Sequence, residues 1–199
     1  MEHRIRWEST HFVQSVADTR QFPEITLPQV AVAGHSNVGK SSLLNALFGR
    51  KGLVKTSKAP GCTRLLNLFE VDEQLLVVDL PGYGFARASK KEKARWSSLI
   101  EHYLTAEPSP QLVLMLLDMR HGPKNSDLQL IEWLNAQGIR WQPVATKADK
   151  LSGNARTKRL HEMTDALGGL LAPLLTSSMD KRGVEDLREL LEREILGKN

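Results

Sequence analysis

Residues 34–41 read GHSNVGKS, between the apolar run QVAVAG and a stretch of helical periodicity, SSLLNALFG. The pattern G-x-x-x-x-G-K-[ST] in that setting is a loop whose backbone N–H groups cradle phosphates, with the positive end of a helix behind them. Gly34 and Gly39 permit the turns that aim N–H groups inward, and His35, Ser36, Asn37 and Val38 fill the variable part of the loop. Lys40 is expected to span a β- and a γ-phosphate, and the Ser41 hydroxyl to serve as a Mg²⁺ ligand. The plain alternative is a Gly-rich turn without a ligand. The strand before it and the helix after it argue against that.

A second phosphate element follows at DLPG, that is Asp79, Leu80, Pro81 and Gly82, which closes the apolar run LLVVDL. Such an aspartate can hold a water of the Mg²⁺ shell, and the glycine N–H can meet a γ-phosphate. Pro-Gly alone is a common turn, so the weight lies in its position after the phosphate loop. In Ras-like GTPases a Gln follows this glycine and orients the attacking water. Tyr83 stands there instead, and a phenol with an ordinary pKa near 10 is a poor base at neutral pH. TKAD (Thr146, Lys147, Ala148, Asp149) supplies a base preference. Asp149 would accept from the N1–H and 2-amino group of guanine, whereas adenine would leave it unpaired, at about 1–3 kcal/mol. The Lys147 stem can lie on the ring face, and TSS (Thr176, Ser177, Ser178) ends the next expected strand. Between the two phosphate elements lies the polar loop KTSKAPGCTR, residues 55–64. Thr63 is its best-spaced candidate for a second Mg²⁺ hydroxyl, with Thr56 and Ser57 competing. Cys62 beside it reads as a passive loop thiol.

These residues need a scaffold that brings loop ends together. Apolar runs at 29–34, 64–71, 75–80, 112–118, 141–146 and 171–177 predict six strands, and 11–16 reads as a weaker one at an N-terminal edge. Helices are expected at 39–48, 88–104, 125–137, 153–167 and 183–196, the last with Val184, Leu187, Leu191 and Ile195 on one face. VDEQ is short enough for a hairpin, so one strand pair should be antiparallel. The remaining strand-helix-strand alternation gives a mainly parallel sheet with helices on both faces, an α/β fold. Ligands bind such sheets at the C-terminal strand ends, where every motif above falls.

A length of 199 residues with 41% hydrophobic and 25% charged residues fits one soluble domain. No apolar stretch reaches the ~18 residues of a membrane span. The start, MEHRIRWEST, lacks the apolar segment of a secretory signal, and a single cysteine excludes an internal disulfide. The expected address is the cytoplasm, with no membrane partner and a monomeric state. The net charge is +4, but between Ile25 and Phe69 there is no Asp or Glu, while Lys40, Arg50, Lys51, Lys55, Lys58 and Arg64 all occur. A second cluster, Arg87, Lys90, Lys91, Lys93 and Arg95, contains one Glu. Two acid-poor clusters beside a phosphate site favour a polyanionic partner. Trp96, Trp133 and Trp141 read as packing residues, and His102, His121 and His161 lack metal-like spacing.

GHSNVGKSSLLNAL, KTSKAPGCT, DLPGYGFA, TKADKLS and SSMDKRGVEDL, in this order, resemble the EngB family (also YihA or YsxC). These are bacterial ribosome-assembly GTPases of the TrmE-Era-EngA-EngB-Septin-like class of P-loop GTPases. The resemblance covers about residues 9 to 196. It implies a single GTPase domain over 1–199, with a short N-terminal extension at 1–9. It also implies hydrolysis of GTP to GDP and phosphate, and a switch role in assembly of the large ribosomal subunit, with rRNA and ribosomal proteins as partners. A link to cell division and septation comes with it. Guanine nucleotide contacts then fall on Gly34 to Ser41, on Gly61, Cys62, Thr63, Arg64 and Leu65, and on Asp79 to Gly82, Thr146 to Asp149 and Thr176 to Ser178. Mg²⁺ falls on Ser41 and Thr63, while Lys40, Thr63 and Asn37 take the catalytic roles. Two departures lower the positive charge near the phosphates: His35 and Cys62 stand where the family usually has basic residues. Without the Gln, intrinsic hydrolysis is expected to be slow, with compensation from the particle or from K⁺ held by the Asn37 side chain. The loops 50–64 and 82–95 are expected to change conformation with nucleotide. A constitutive rRNA-binding scaffold with a structural nucleotide is the rival reading. A P-loop ATPase or small-molecule kinase conflicts with TKAD and lacks a lid segment.

Overall fold

Strands β1 (Thr10–Val16), β2 (Gln29–Gly34), β3 (Leu66–Val71), β4 (Leu75–Asp79), β5 (Leu112–Asp118), β6 (Trp141–Thr146) and β7 (Leu174–Leu175) form one sheet in the order β1-β3-β4-β2-β5-β6-β7. The computed structural model describes residues 4–24, 26–55, 65–83, 90–106, 108–169 and 171–197. Helices α1 (Lys40–Leu47), α2 (Lys90–Thr105), α3 (Asn125–Ala136), α4 (Gly153–Ala166) and α5 (Val184–Leu196) are the connections and the C-terminal cover. Pairings from β4 through β2, β5 and β6 to β7 are parallel, whereas β3 is antiparallel to both β1 and β4.

The alternation along β2 explains the layers. Val30 and Val32 join Leu114, Leu116, Leu44 and Leu187 on the α1–α5 side. Ala31 and Ala33 join Val113, Met115, Leu104 and Leu134 on the side of α2 and α3. Both faces of β2 are therefore buried, which is why it is apolar throughout rather than alternating. The β3–β4 hairpin turns through Asp72, Glu73 and Gln74 between the paired Val71 and Leu75, with Asp72 and Glu73 left-handed at φ 51° and 54° and the Gln74 N–H donating to Val71 O at 3.0 Å. On α5, Val184, Leu187, Leu191 and Ile195 are all buried, as the spacing predicts.

The sheet has seven strands, not six, and two antiparallel pairings, not one. The weak run at 11–16 is a full edge strand, Thr10–Val16, paired along its length with β3. A register shift between Phe12 and Gln14 breaks its alternation and dulls the periodic signal. At the opposite edge the expected strand 171–177 shrinks to two residues, pairing with Val144 and Ala145. Pro173 ahead of it has no N–H to offer a ladder. The strand expected from 64 begins at Leu66, and the helix expected from 88 is described from Lys90.

The residues read as an N-terminal extension contribute to the core. Ile5 and Trp7 are 5% and 2% exposed, and the Trp7 indole N–H donates to Glu192 Oε1 at 2.9 Å. Arg188 fastens this segment to two helices. Its guanidinium lies 5.8 Å from the Trp7 ring centroid and donates to Leu47 O at 2.6 and 2.9 Å. Leu47 O is one of the carbonyls that the end of α1 leaves without an intrahelical donor. Replacing Arg188 with Ala removes a charged donor from that carbonyl, so a loss of about 2 kcal/mol is expected in urea unfolding. A loss below ~0.5 kcal/mol would mean that water serves the helix end equally well.

Candidate functional site

Strand β2 ends at Gly34 and α1 starts at Lys40, so the phosphate loop is the tight turn between them. A Cβ on Gly34 would lie 2.8 Å from Val38 Cγ1 and 3.1 Å from Leu116 Cβ, so only glycine fits. Val38 is buried and anchors the loop, its N–H donating to His35 O at 3.0 Å. The first N–H groups of α1 have no intrahelical acceptor and face the loop end, a ready anion site. Lys40 Nζ forms an ion pair with Asp79 Oδ1, the two side chains being 10% and 3% exposed. Asn67 Nδ2 donates to the second Asp79 oxygen at 3.3 Å. Ser41 follows Lys40 and is half-buried.

The strand register carries Asp79 to this point. Val32 is paired with Asp79 in the parallel β2–β4 ladder, and the Leu80 N–H donates to Val32 O at 3.0 Å. Beyond Pro81 the chain stays on the phosphate loop. A Cβ on Gly82 would meet Ser36 Cα at 3.3 Å, so glycine is what lets the two backbones approach. Ser36 N–H donates to Tyr83 O at 2.8 Å, and Tyr83 N–H to Gly34 O at 3.4 Å. Tyr83 itself turns inward: it is 4% exposed, with its ring 6.1 Å from that of His35 in an edge contact. Burial, then the charge and hydrogen bonding of the Asp127 carboxylate, push its phenol well above its ordinary pKa. Such a group takes no proton at neutral pH.

Strand β6 brings the TKAD residues to the other side of the loop. Thr146 is 3% exposed, and its hydroxyl lies 2.7 Å from Val38 O and 3.2 Å from Leu117 O. Lys147 takes a left-handed conformation, φ 60°, and its ammonium donates to Asn37 O at 2.6 Å and Asp118 Oδ2 at 2.8 Å. Its stem therefore crosses Gly39, whose Cβ would lie 3.4 Å from Lys147 Cε. Ala148 is buried and its N–H donates to Thr176 O at 3.1 Å. Asp149 accepts from the Ser177 hydroxyl at 2.9 Å and pairs with Lys150 at 3.1 Å. Burial pushes the Asp149 pKa up, but those two partners outweigh it and the net shift is downward. Thr176 and Ser177 are buried and Ser178 half-buried. Thr176 N–H donates to Ala145 O at 2.7 Å, which extends the β6–β7 pairing.

The structure thus brings together Gly34 to Ser41, Asp79 to Gly82, Thr146 to Asp149 and Thr176 to Ser178. Gly61, Cys62, Thr63 and Arg64 lie outside the described residues, and Leu65 is half-buried just before β3. Of the basic clusters, Arg50 donates to Thr10 O at 2.7 Å, and Lys51 and Lys55 are exposed. Lys58 and Arg87 lie outside the described residues, while Lys90, Lys91, Lys93 and Arg95 fall on the first turns of α2.

Sequence reasoning missed the segment after β5. Asp118 accepts from the Arg120 backbone and guanidinium at 3.0, 3.0 and 2.7 Å as well as from Lys147. Burial pushes its pKa up, yet these bonds hold it well below the usual carboxylate range. The carboxylate is ionised at any pH above that range, and the clamp on Lys147 fails only in stronger acid. Asp127, 2% exposed in the first turn of α3, accepts from Lys124 N–H at 2.8 Å. Asp118, Arg120, Lys124 and Asp127, with His35 to Val38, line a cavity of about 230 Å³ beside the phosphate loop. An aspartate ending an apolar strand, as Asp79 also does, was the signal available for Asp118.

A phosphate loop at the switch point of a parallel sheet, with an aspartate-glycine element on one side and TKAD on the other, defines a P-loop GTPase. The family model described as 50S ribosome-binding GTPase matches residues 29–147. The probable GTP-binding protein EngB of Desulfosudis oleivorans is 41% identical over 186 residues, 93% of this chain and 94% of that protein. Its namesake from Clostridium perfringens strain SM101 is 41% identical over 186 residues, 92% and 94% of the two chains. The crystal structure of a probable GTP-binding protein EngB has the same fold, with a TM-score of 0.69 at 20% identity, over 85% of this chain and 100% of that one. The chain belongs to the EngB family of GTPases.

Thr146 offers a direct test of the loop's dependence on β6. Thr146→Val keeps the shape and removes the donor to a buried carbonyl, so a stability loss of ~1–3 kcal/mol is expected. GDP affinity measured by fluorescence titration should fall with it, and Thr146→Ser should restore both. GDP binding by the Val variant equal to that of the wild type would show that the hydroxyl does not shape the loop.

Proposed function

We propose that this chain is a GTP/GDP-controlled assembly factor for the large ribosomal subunit. In this reading residues 1–199 act as one GTPase domain, a cytoplasmic monomer whose partner is a precursor particle, with a tie to cell division and septation. Gly34 to Ser41 hold the phosphates, and Lys40 exchanges Asp79 for β- and γ-phosphate oxygens. Gly82 N–H meets the γ-phosphate, and Thr146 to Asp149 with Thr176 to Ser178 hold guanosine. Gly61 to Leu65 complete the site from the switch loop.

The observation that carries guanine selection is Asp149. Its carboxylate is kept ionised by Ser177 and Lys150, at the end of a strand whose next-door residues grip the phosphate loop. It suits the two donors on the guanine edge, and adenine would leave it unpaired. The description of the matching family, a 50S ribosome-binding GTPase, supports the particle as partner. No helix among the described residues is long and apolar enough to cross a membrane.

The hydroxyls of Ser41 and Thr63, with the Asp79 carboxylate acting through water, are a hard-oxygen set that suits Mg²⁺. The buried Lys40–Asp79 pair fits such an exchange, because a polyphosphate gives Lys40 a new anion and frees Asp79 for the cation shell. A Mg²⁺ held by these residues would supply positive charge to offset the phosphate oxygens as the bond from the γ-phosphorus to the bridging oxygen breaks. With Tyr83 buried, no side chain at its position orients the attacking water, so slow intrinsic turnover follows.

Sedimentation with large-subunit precursors tests the switch. Particle binding should differ at least severalfold between a non-hydrolysable GTP analogue and GDP, and should weaken steeply with salt. Equal binding in both nucleotides and in none would favour the constitutive rRNA scaffold. For compensation of the missing Gln, we propose K⁺ held by the Asn37 side chain, which is exposed on a loop residue at φ 64°. Turnover in K⁺ should exceed that in Na⁺ at equal ionic strength, and Asn37→Ala should abolish the difference. Equal rates in the two salts would remove K⁺ from the account.

A further inference from the structure

Lys147 stands at the site in a conformation that has to be held. Its backbone is left-handed at φ 60°, which costs a residue with a Cβ, and its stem is drawn across Gly39. An unrestrained lysine keeps its ammonium in water and its side-chain torsions mobile, so fixing one costs conformational entropy. Two acceptors hold this one. Asn37 O takes the ammonium at 2.6 Å, but it is a neutral carbonyl. The other acceptor is charged: Asp118 Oδ2, at 2.8 Å.

The sheet puts Asp118 within reach. It is paired with Thr146 in the parallel β5–β6 ladder, so it lies across from the residue that precedes Lys147. Its carboxylate is fixed from the opposite side by Arg120. Oδ1 accepts the Arg120 backbone N–H and Nε–H, both at 3.0 Å, and Oδ2 accepts from Nη2 at 2.7 Å. The His121 and Gly122 N–H groups donate to the Asp118 carbonyl at 3.1 and 2.9 Å, which closes the turn after β5. The side chains of Arg120, Lys147 and Asp118 are 41%, 23% and 11% exposed, so the carboxylate is the sheltered centre of the three. Closing the turn needs only an acceptor for the Arg120 N–H, and a neutral Asn would supply one. A full negative charge at this depth is accounted for by the two cations it meets, of which Lys147 is the one bound to the phosphate loop.

We propose that Asp118 is a positioning residue for base binding: by holding the Lys147 ammonium, it fixes the Lys147 stem as the surface on which the guanine ring lies. It rests on the reading that Thr146 to Asp149 hold guanosine, and Asp118 itself touches no nucleotide. A stem ordered in advance spares the nucleotide the cost of ordering it. The base is common to GDP and GTP, so Asp118 serves both alike.

A double-mutant cycle on the full chain tests this, with Asp118→Asn, Lys147→Met and the pair together. GDP and a non-hydrolysable GTP analogue are titrated by calorimetry in Mg²⁺. The nucleotide-induced rise in unfolding temperature reads any variant that binds too weakly for calorimetry, and unfolding without nucleotide checks the fold. Asp118→Asn, which keeps the turn and loses the charge, should bind both nucleotides roughly fivefold more weakly. In the Lys147→Met background the same change should cost less than about twofold, because the residue it acts through is gone. Asp118→Ser, which can also close such a turn, stands in if the Asn variant does not fold. A merely structural Asp118 would weaken both backgrounds alike. That result, or no loss in the single variant, would overturn the proposal and leave the guanine reading standing. A wild-type chain that binds ATP as tightly as GTP would overturn the guanine reading, and the proposal with it.

Discussion

Lys40 and Asp79 meet as an almost fully buried ion pair where two parallel strands end, and the site is arranged around that meeting. Taking both charges from water is costly unless each keeps an opposite charge at hand. The sheet order makes the meeting possible: β2 lies between β4 and β5, so the chain leaves β2 in one direction and later returns on its other side. At such a switch point a crevice opens beyond the strand ends. The parallel β2–β4 register then sets Asp79 opposite Val32, two residues before the loop begins. Among the described residues, then, this buried cation beside a helix start is partnered by a carboxylate.

The phosphate loop is gripped from both flanks by backbone contacts. From the β6 side, Thr146 reaches Val38 O and Lys147 reaches Asn37 O. From the β4 side, Tyr83 O takes the N–H of Ser36. The segment after β5 reaches the loop as well, with Asp118 clamping Lys147 and the Lys124 ammonium 3.4 Å from His35 Nε2. The TKAD residues and the segment ending at Tyr83 are therefore mechanically continuous through three successive residues of the loop, Ser36, Asn37 and Val38.

Much of this was legible in the sequence because GHSNVGKS, DLPG and TKAD are local patterns, each at the end of an apolar run. The parallel order followed from the alternation of strands and helices, and the buried face of α5 from its spacing. Three things were not legible. The bulge in β1 broke the period that marks a strand. The role of DMRHGPKNSD depends on partners far away in the chain, Lys147 for Asp118 and His35 for Lys124, which no local spacing encodes. The fate of Tyr83 turned on a rotamer: the sequence allowed it to face phosphate, partner or core, and its burial beside His35 decided for the core.

The claim on which the account stands is that nucleotide phosphate takes the place of Asp79 on Lys40. Calorimetry of GDP binding to wild type and Lys40→Met, with thermal unfolding to confirm that the variant is folded, measures it directly. Losing a desolvated charged contact to phosphate predicts an affinity at least about a hundredfold weaker in the variant. GDP bound by a folded Lys40→Met chain as tightly as by wild type would contradict the account.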